Sequence, residues 1–153
     1  KDVKACVYTL KQAKPKVFAY QEAQAAQAAR NGVLTNPFGR KRWFYTSNKY
    51  TESMAFGPSS TAADIIYRAM IGLMYERIKW PLGNALKVAQ KVAPLPEPAR
   101  LLLQVHDELV FEAPEELVPK VSQIVSEVME QSWPELGGFN IPVEVKVGDS
   151  WGG

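Results

Sequence analysis

At 153 residues, with 46% hydrophobic and 22% charged side chains, the chain has the composition of one soluble globular domain with a real core. Its net charge of +2, from 18 basic and 16 acidic residues, gives no global field for nucleic acid, so any such contact must come from a local cluster. A lone Cys6 excludes an internal disulfide framework, no apolar run reaches the ~18 residues of a membrane span, and no signal-peptide pattern opens the chain; a soluble, intracellular protein is expected.

Residues 2–12 are weakly helical, with Val3, Val7 and Leu10 at helix-like spacing. Pro15 opens a second helix as a first-turn residue, where its missing N–H costs nothing. Lys16 to Arg30 is rich in good helix formers, and Asn31-Gly32 stops it. Val33 to Tyr45 reads as two short extended pieces around Asn36-Pro37-Phe38-Gly39, since Pro presets φ and Gly permits positive φ. Arg40, Lys41 and Arg42 follow at once, then the aromatic run Trp43, Phe44 and Tyr45. One reading is phosphate contact, because such cations attract the backbone irrespective of base sequence. The other is a solvated basic turn with an aromatic core strand behind it.

The clearest helical pattern starts at Thr61: Ala62, Ile65, Ile66, Ala69, Met70, Leu73, Met74 and Ile78 recur on one face. Thr61 with Asp64 matches a capping box, so Asp64 is weighed first as a capping residue and only second as a metal ligand. Met70 and Met74 read as core filling. Trp80-Pro81-Leu82-Gly83 ends the helix, residues 84–93 form a short extra helix, and Pro94, Pro96 and Pro98 make a stiff connector.

Beyond the connector, Leu101 to Val105 and Leu109 to Phe111 are apolar arms around His106, Asp107 and Glu108, the pattern of a tight β-hairpin closed by Pro114. Two adjacent carboxylates on such a tip suit a hard cation such as Mg²⁺, which is held by one or two carboxylates plus substrate phosphates. The bland alternative is a solvated acidic turn. Pro114, Glu115 and Glu116 then start a helix whose buried face is Leu117, Val121, Ile124, Val125, Val128 and Met129, and which Gly137-Gly138 terminates. Ile141 to Val147 alternates Val143, Val145 and Val147 on one face, as in a strand. The fold class expected is α+β, with helices on one face of a small antiparallel sheet.

Gln104-Val105-His106-Asp107-Glu108-Leu109-Val110, with Glu112-Ala113-Pro114 after it, resembles the palm motif of family A DNA polymerases, the DNA polymerase I-like enzymes. Thr61-Ala62-Ala63-Asp64-Ile65-Ile66 with Arg68-Ala69-Met70 is similar to the start of that family's long palm helix. Asn36-Pro37-Phe38-Gly39-Arg40-Lys41-Arg42 is similar to its template-contacting Phe-Gly-Arg-Arg-Arg segment. Glu52, Met54-Ala55-Phe56, Val145-Lys146-Val147-Gly148 and Trp151 also fall in family order, so the resemblance covers nearly the whole chain.

The resemblance implies DNA-templated DNA synthesis by two-metal catalysis. Asp107 would be a metal-binding carboxylate, Glu108 would lie near the primer end and the metal site, and His106 would approach the primer strand. It implies Mg²⁺, primer–template DNA and a deoxynucleoside triphosphate as partners, with no membrane, in the cytoplasm of a bacterial or phage-infected cell. Residues 1–50 would end the fingers and carry the template-contacting turn. Residues 51–153 would form the carboxy-terminal half of the palm, with the catalytic hairpin at 101–112.

The family's first metal-binding Asp strand, its nucleotide-holding helix and its thumb have no counterpart in these residues. The second metal carboxylate is therefore expected on an upstream segment, attached or separate. Lys1-Asp2-Val3-Lys4, without an initiator Met, is expected of a processed product, a recombinant fragment or one portion of a polymerase. The chain alone is expected to be inactive.

Two features depart from the family. Its Asn-x-Pro-x-Gln-Gly segment, whose Asn and Gln read the minor groove, is here the shorter Gly57-Pro58-Ser59-Ser60, and an upstream Arg corresponds to Ser53. Ser59 or Ser60 is left to donate a weaker bond to DNA or to cap the helix. The stretch 81–99 is longer than usual and reads as a surface insertion. The rival from another class is a non-catalytic DNA-binding accessory module that keeps the palm fold; a metal-dependent nuclease is weaker, lacking a second carboxylate cluster.

Overall fold

The computed structural model describes residues 3–45, 50–78 and 95–151, with side chains of 75–78 excluded. It divides into two compact units, residues 1–61 and 62–153. The expected extra helix at 84–93 and the stop at Trp80-Pro81-Leu82-Gly83 lie outside the described residues. No helix among the described residues is long and apolar enough to cross a membrane.

In the first unit, α1 (Val3–Ala13) buries none of its residues, and Val3, Val7, Tyr8 and Leu10 are exposed. α2 (Pro15–Asn31) begins at Pro15, as that residue's fixed φ and absent donor favour. It ends at Gly32, whose φ of 65° is the left-handed conformation that lets its N–H return to the Ala28 carbonyl at 2.9 Å. Strands β1 (Val33–Thr35) and β2 (Lys41–Trp43) pair antiparallel, with Val33 opposite Trp43, Leu34 opposite Arg42 and Thr35 opposite Lys41. A small core of Ala28, Leu34 and Phe56, with Phe44 edge-on to Phe56 at 6.4 Å, anchors that hairpin.

Helix α3 (Tyr50–Ile78) corrects the expected start at Thr61, beginning eleven residues earlier and running through Gly57 and Pro58. Pro inside a helix removes a backbone bond and crowds the preceding residue, but that crowding involves a Cβ which Gly57 lacks. Thr61 therefore caps nothing: its hydroxyl donates back to the Gly57 carbonyl at 2.6 Å. Asp64 is likewise a buried helix-interior residue, 8% exposed, and not part of a capping box. Ala62, expected on the buried face, is exposed.

In the second unit, Ile65, Ile66, Ala69 and Leu73 are buried along α3. Strands β3 (Arg100–Val105) and β4 (Glu108–Glu112) form an antiparallel hairpin. Helix α4 (Val118–Met129) follows a 3₁₀ turn at Glu115–Leu117, so the acidic pair after Pro114 opens that turn and not the α-helix itself. Val121, Ile124, Val125 and Val128, at helical spacing, meet Ala69, Leu73, Leu95 and Ala99 in one core. Leu109, Phe111 and Ala113 pack on it from the hairpin side, giving the α+β arrangement of helices on one face of a small antiparallel sheet.

Two further expectations fail at the carboxy-terminal end. α4 stops at Met129, well before Gly137-Gly138, and a separate 3₁₀ turn, Pro134–Leu136, precedes those glycines. Trp133, 2% exposed, makes a bridge with Phe139 there and ends the helical path. Ile141 to Val147 is not a strand. The Val143 N–H donates to the Glu130 carboxylate at 2.8 Å instead of to a neighbouring strand, and Val145 and Val147 stay exposed. Alternation sets a strand's faces, but a strand also needs a paired edge.

Leu73, 1% exposed at the centre of the second core, tests this packing. Leu73→Ala should destabilise the unit by about 2–5 kcal/mol, through lost burial and a residual cavity. Ala62→Ser on the exposed face should stay within about 0.5 kcal/mol. Urea unfolding of both variants followed by circular dichroism measures the difference; equal losses would show that the core is misassigned.

Candidate functional site

The first candidate site is the tip of the β3–β4 hairpin. Val105 pairs with Glu108, so His106 and Asp107 alone make the connection, and Glu108 is already the first residue of β4. His106 has φ of 55°, the left-handed region, while Asp107 does not share it. Positive φ at the first central position alone matches a type II′ turn, which normally takes Gly there because a side chain is strained. Histidine is among the residue types that tolerate this conformation better than most. The Gln104 side-chain amide donates to the His106 carbonyl and braces the turn.

Farther from the tip, Leu101 pairs with Phe111 and Leu103 with Val110, so Leu102 is the extra residue of a bulge, a device that re-aims neighbouring side chains. Arg100 and Glu112, directly opposed at the open end, pair through the guanidinium and one carboxylate oxygen at 2.7 Å. Both are exposed, so the pair contributes no more than about 1 kcal/mol and serves mainly to hold register.

His106, Asp107 and Glu108 are all exposed. The hairpin thus delivers two hard oxygen donors and an imidazole at one braced tip, a donor set that fits part of a Mg²⁺ site. No group of three or more His, Cys, Asp or Glu side chains able to hold a metal occurs among the described residues. Side chains alternate between faces as a chain enters a strand, so Asp107 and Glu108 are poorly disposed to chelate one ion together.

The second candidate site is the tip of the β1–β2 hairpin in the other unit. Arg40, Lys41 and Arg42 are exposed and consecutive, with Lys41 and Arg42 on β2. Arg42 is engaged within the protein: its guanidinium pairs with the Glu52 carboxylate on α3 and lies 5.4 Å from the Phe44 ring centroid. Glu52 was legible only as a residue in family order, and nothing in the local sequence signals the pairing. The turn itself is organised by Asn36, 5% exposed, whose side chain bonds to Phe38, Arg40 and Ser60. Asn36 was legible as a turn residue and as the first residue of the template-contacting resemblance, but its clamp on Arg40 was not, although Asn commonly bonds to backbone just ahead of it.

Near this turn, Ser59 is exposed on α3. The Ser60 hydroxyl accepts from the Asn36 side chain at 3.1 Å and donates weakly to the Gly57 carbonyl at 3.4 Å. Gly57 has a structural reason to lack a side chain, because a Cβ there would lie 2.1 Å from the Tyr20 hydroxyl. Tyr20 is 41% exposed overall, yet burial at its hydroxyl end raises its phenol above the ordinary value of 10. A longer residue at this position would have to displace the Tyr20 ring.

The profile of DNA polymerase family A matches residues 1–153. The chain is 36% identical over 146 residues to the thermostable DNA polymerase I of Thermus thermophilus, covering 90% of this chain and 15% of that protein. It is 32% identical over 163 residues to DNA polymerase I of Treponema pallidum, covering 99% of this chain and 14% of that one. Among solved structures, it resembles the POL domain of Pol1 from M. smegmatis in complex with DNA primer-template and dNTP. That likeness has a TM-score of 0.66 and 26% identity, covering 94% of this chain and 24% of that chain. The α+β arrangement is thus part of a larger polymerase fold, of which this chain spans roughly a seventh of the length of the curated relatives it matches. By the match along its whole length, and with the His106-Asp107-Glu108 tip on a braced hairpin, the chain belongs to DNA polymerase family A.

Proposed function

We propose that this chain is the carboxy-terminal part of a DNA-templated DNA polymerase, with residues 1–50 ending the fingers and 51–153 forming the second half of the palm. The reaction is attack of a primer 3′-hydroxyl on the α-phosphate of a deoxynucleoside triphosphate. The observation that carries this reading is the exposed carboxylate of Asp107 on a two-residue, positive-φ turn, in a chain that matches the family throughout. Asp107 would hold Mg²⁺ together with a carboxylate from an upstream segment, attached or separate. When bound in pairs, such ions lower the hydroxyl's pKa and stabilise the leaving pyrophosphate. Glu108 and His106 flank the primer end: the carboxylate orients what the turn receives, and the imidazole donates to the primer backbone.

Arg40, Lys41 and Arg42 supply sequence-independent phosphate contacts to the template strand. Ser59 is open to a phosphate or sugar oxygen, whereas Ser60 reaches DNA only by exchanging its bonds to Asn36 and Gly57. The rival, a DNA-binding accessory module without chemistry, draws support from the shorter Gly57-Pro58-Ser59-Ser60 segment, which lacks the family's Asn and Gln. It predicts DNA binding that is indifferent to Asp107.

Three outcomes test the proposal, the first of them against its rival. In the assembled polymerase, Asp107→Asn should slow single-turnover primer extension by at least ~10³-fold at saturating Mg²⁺ while leaving the fold intact, because a catalytic ion loses an anionic ligand. Extension within tenfold of the parent would remove Asp107 from catalysis and favour the accessory module.

Replacing Arg40 and Lys41 by Ala should weaken primer–template binding for all sequences alike and reduce the slope of log K against log salt by roughly one to two. An unchanged slope, read by fluorescence anisotropy across a salt series, would mean the cluster is merely solvated.

The 153-residue chain by itself should not extend a labelled primer, since no group of carboxylates able to hold two Mg²⁺ ions occurs among the described residues. Adding the upstream segment should restore extension that depends on both Mg²⁺ and Asp107. Robust templated synthesis by the lone chain would place a second metal ligand among these residues.

A further inference from the structure

The basic turn is tied together by one residue. Asn36 is 5% exposed, and its backbone and carboxamide make hydrogen bonds across the turn and to helix α3. Its backbone N–H donates to the Arg40 carbonyl at 2.9 Å, and its carbonyl accepts from the Gly39 N–H at 2.9 Å. Its Oδ1 accepts from the Phe38 N–H at 3.1 Å and from the Arg40 N–H at 2.9 Å. Its Nδ2 donates to the Ser60 hydroxyl oxygen at 3.1 Å.

The consequence falls on Arg40. Both of its backbone polar groups are bound to Asn36, the N–H to the side chain and the carbonyl to the main chain. Between the two residues, Gly39 takes φ of 87°, a conformation open to glycine at little cost. These bonds tie both backbone polar groups of Arg40 to Asn36 and restrict the point from which its side chain leaves the turn. Ser60 extends the clamp to α3, which also holds Arg42 through Glu52. Binding by a loop that is already ordered avoids the entropy of ordering it on contact.

We propose that Asn36 is a positioning residue for nucleic-acid phosphate: it presets the backbone of Arg40 through paired amide bonds, with Ser60 tying that clamp to α3. The proposal rests on the reading of Arg40 to Arg42 as phosphate contacts. It assigns to Asn36 no contact with DNA, and it gives the Ser60 hydroxyl the task of fixing the turn.

The test uses the full chain and a fluorescein-labelled primer–template duplex, with binding measured by anisotropy across a salt series. Folding of every variant is checked by circular dichroism and by amide exchange at residues 38 and 40. Asn36→Ala should keep the helical signal, speed exchange of the Phe38 and Arg40 amides, weaken binding about tenfold at low salt and lower the salt slope by about one, as for one lost phosphate contact. Ser60→Ala, which leaves Oδ1 and its two amide bonds in place, should show a smaller loss with those amides still protected. Arg40→Ala should lower the slope by the same amount as Asn36→Ala, and the double variant should lose no more than either alone.

Should Arg40→Ala leave the slope unchanged, the cluster does not contact phosphate, and the proposal falls with that reading. Should Arg40→Ala lower the slope while Asn36→Ala does not, the phosphate reading stands and the positioning role of Asn36 is overturned. If Asn36→Ala fails to fold, Ser60→Ala combined with Asn36→Asp decides. Asp keeps the Oδ1 acceptor, so the Arg40 amide must stay protected, and loss of its protection would overturn the clamp.

Discussion

A two-stranded hairpin of five or six residues a side is marginal in water, because half of each strand's side chains have nothing to bury against. What makes β3 and β4 a fixed platform is the cover of one face by α4 and the second half of α3, through Leu109, Phe111 and Ala113 on Leu73, Val121, Ile124, Val125 and Val128. At the usual worth of a buried aliphatic side chain, about 1.5–3 kcal/mol, this small set is large beside the net stability of a domain. The position of Asp107 depends on it. A carboxylate displaced by an ångström changes what it can hold, so the apolar cluster is as much a part of the candidate metal site as the acids themselves.

The tip adds a constraint of its own. Placing His106 at φ of 55° costs energy that a glycine would not, and such strain persists where the surroundings impose it. Here the Gln104 amide and the pairing of Val105 with Glu108 do so. The imidazole is thereby presented beside Asp107 from a turn with little freedom to adjust. A turn so fixed would serve the proposed chemistry, which depends chiefly on position and charge neutralisation.

The basic turn is built on different physics. With a net charge of only +2, the molecule as a whole has little to attract DNA, so the proposed phosphate contacts would depend on the local cluster Arg40 to Arg42. Polar clamping stabilises their hairpin, supplemented by the small core of Ala28, Leu34 and Phe56. Glu52, holding Arg42 on α3, is an exposed partner of the kind that contributes little to stability, and a phosphate offering two oxygens in place of its carboxylate can compete for the guanidinium.

Much of this was legible in the residues alone. Pro15 and Gly32 marked the ends of α2, the Asn36 to Gly39 turn marked the β1–β2 hairpin, and the arms around His106 marked β3 and β4, because turn and cap residues act on their own backbone. The spacing of Val121, Ile124, Val125 and Val128 similarly announced the buried face of α4. Other features depended on residues distant in sequence. Thr61 and Asp64 had the form of a capping box, but a helix started upstream at Tyr50 and ran through Pro58, which made them interior residues. Val143, Val145 and Val147 had the alternation of a strand, but alternation cannot supply a partner edge, and the Val143 amide went to Glu130 instead. Asn36 joined Ser60, and Arg42 joined Glu52, through contacts that no local pattern encodes. Local chemistry in the sequence determined which turns carry the acids and the cations; packing and long-range hydrogen bonds decided how firmly each turn is held.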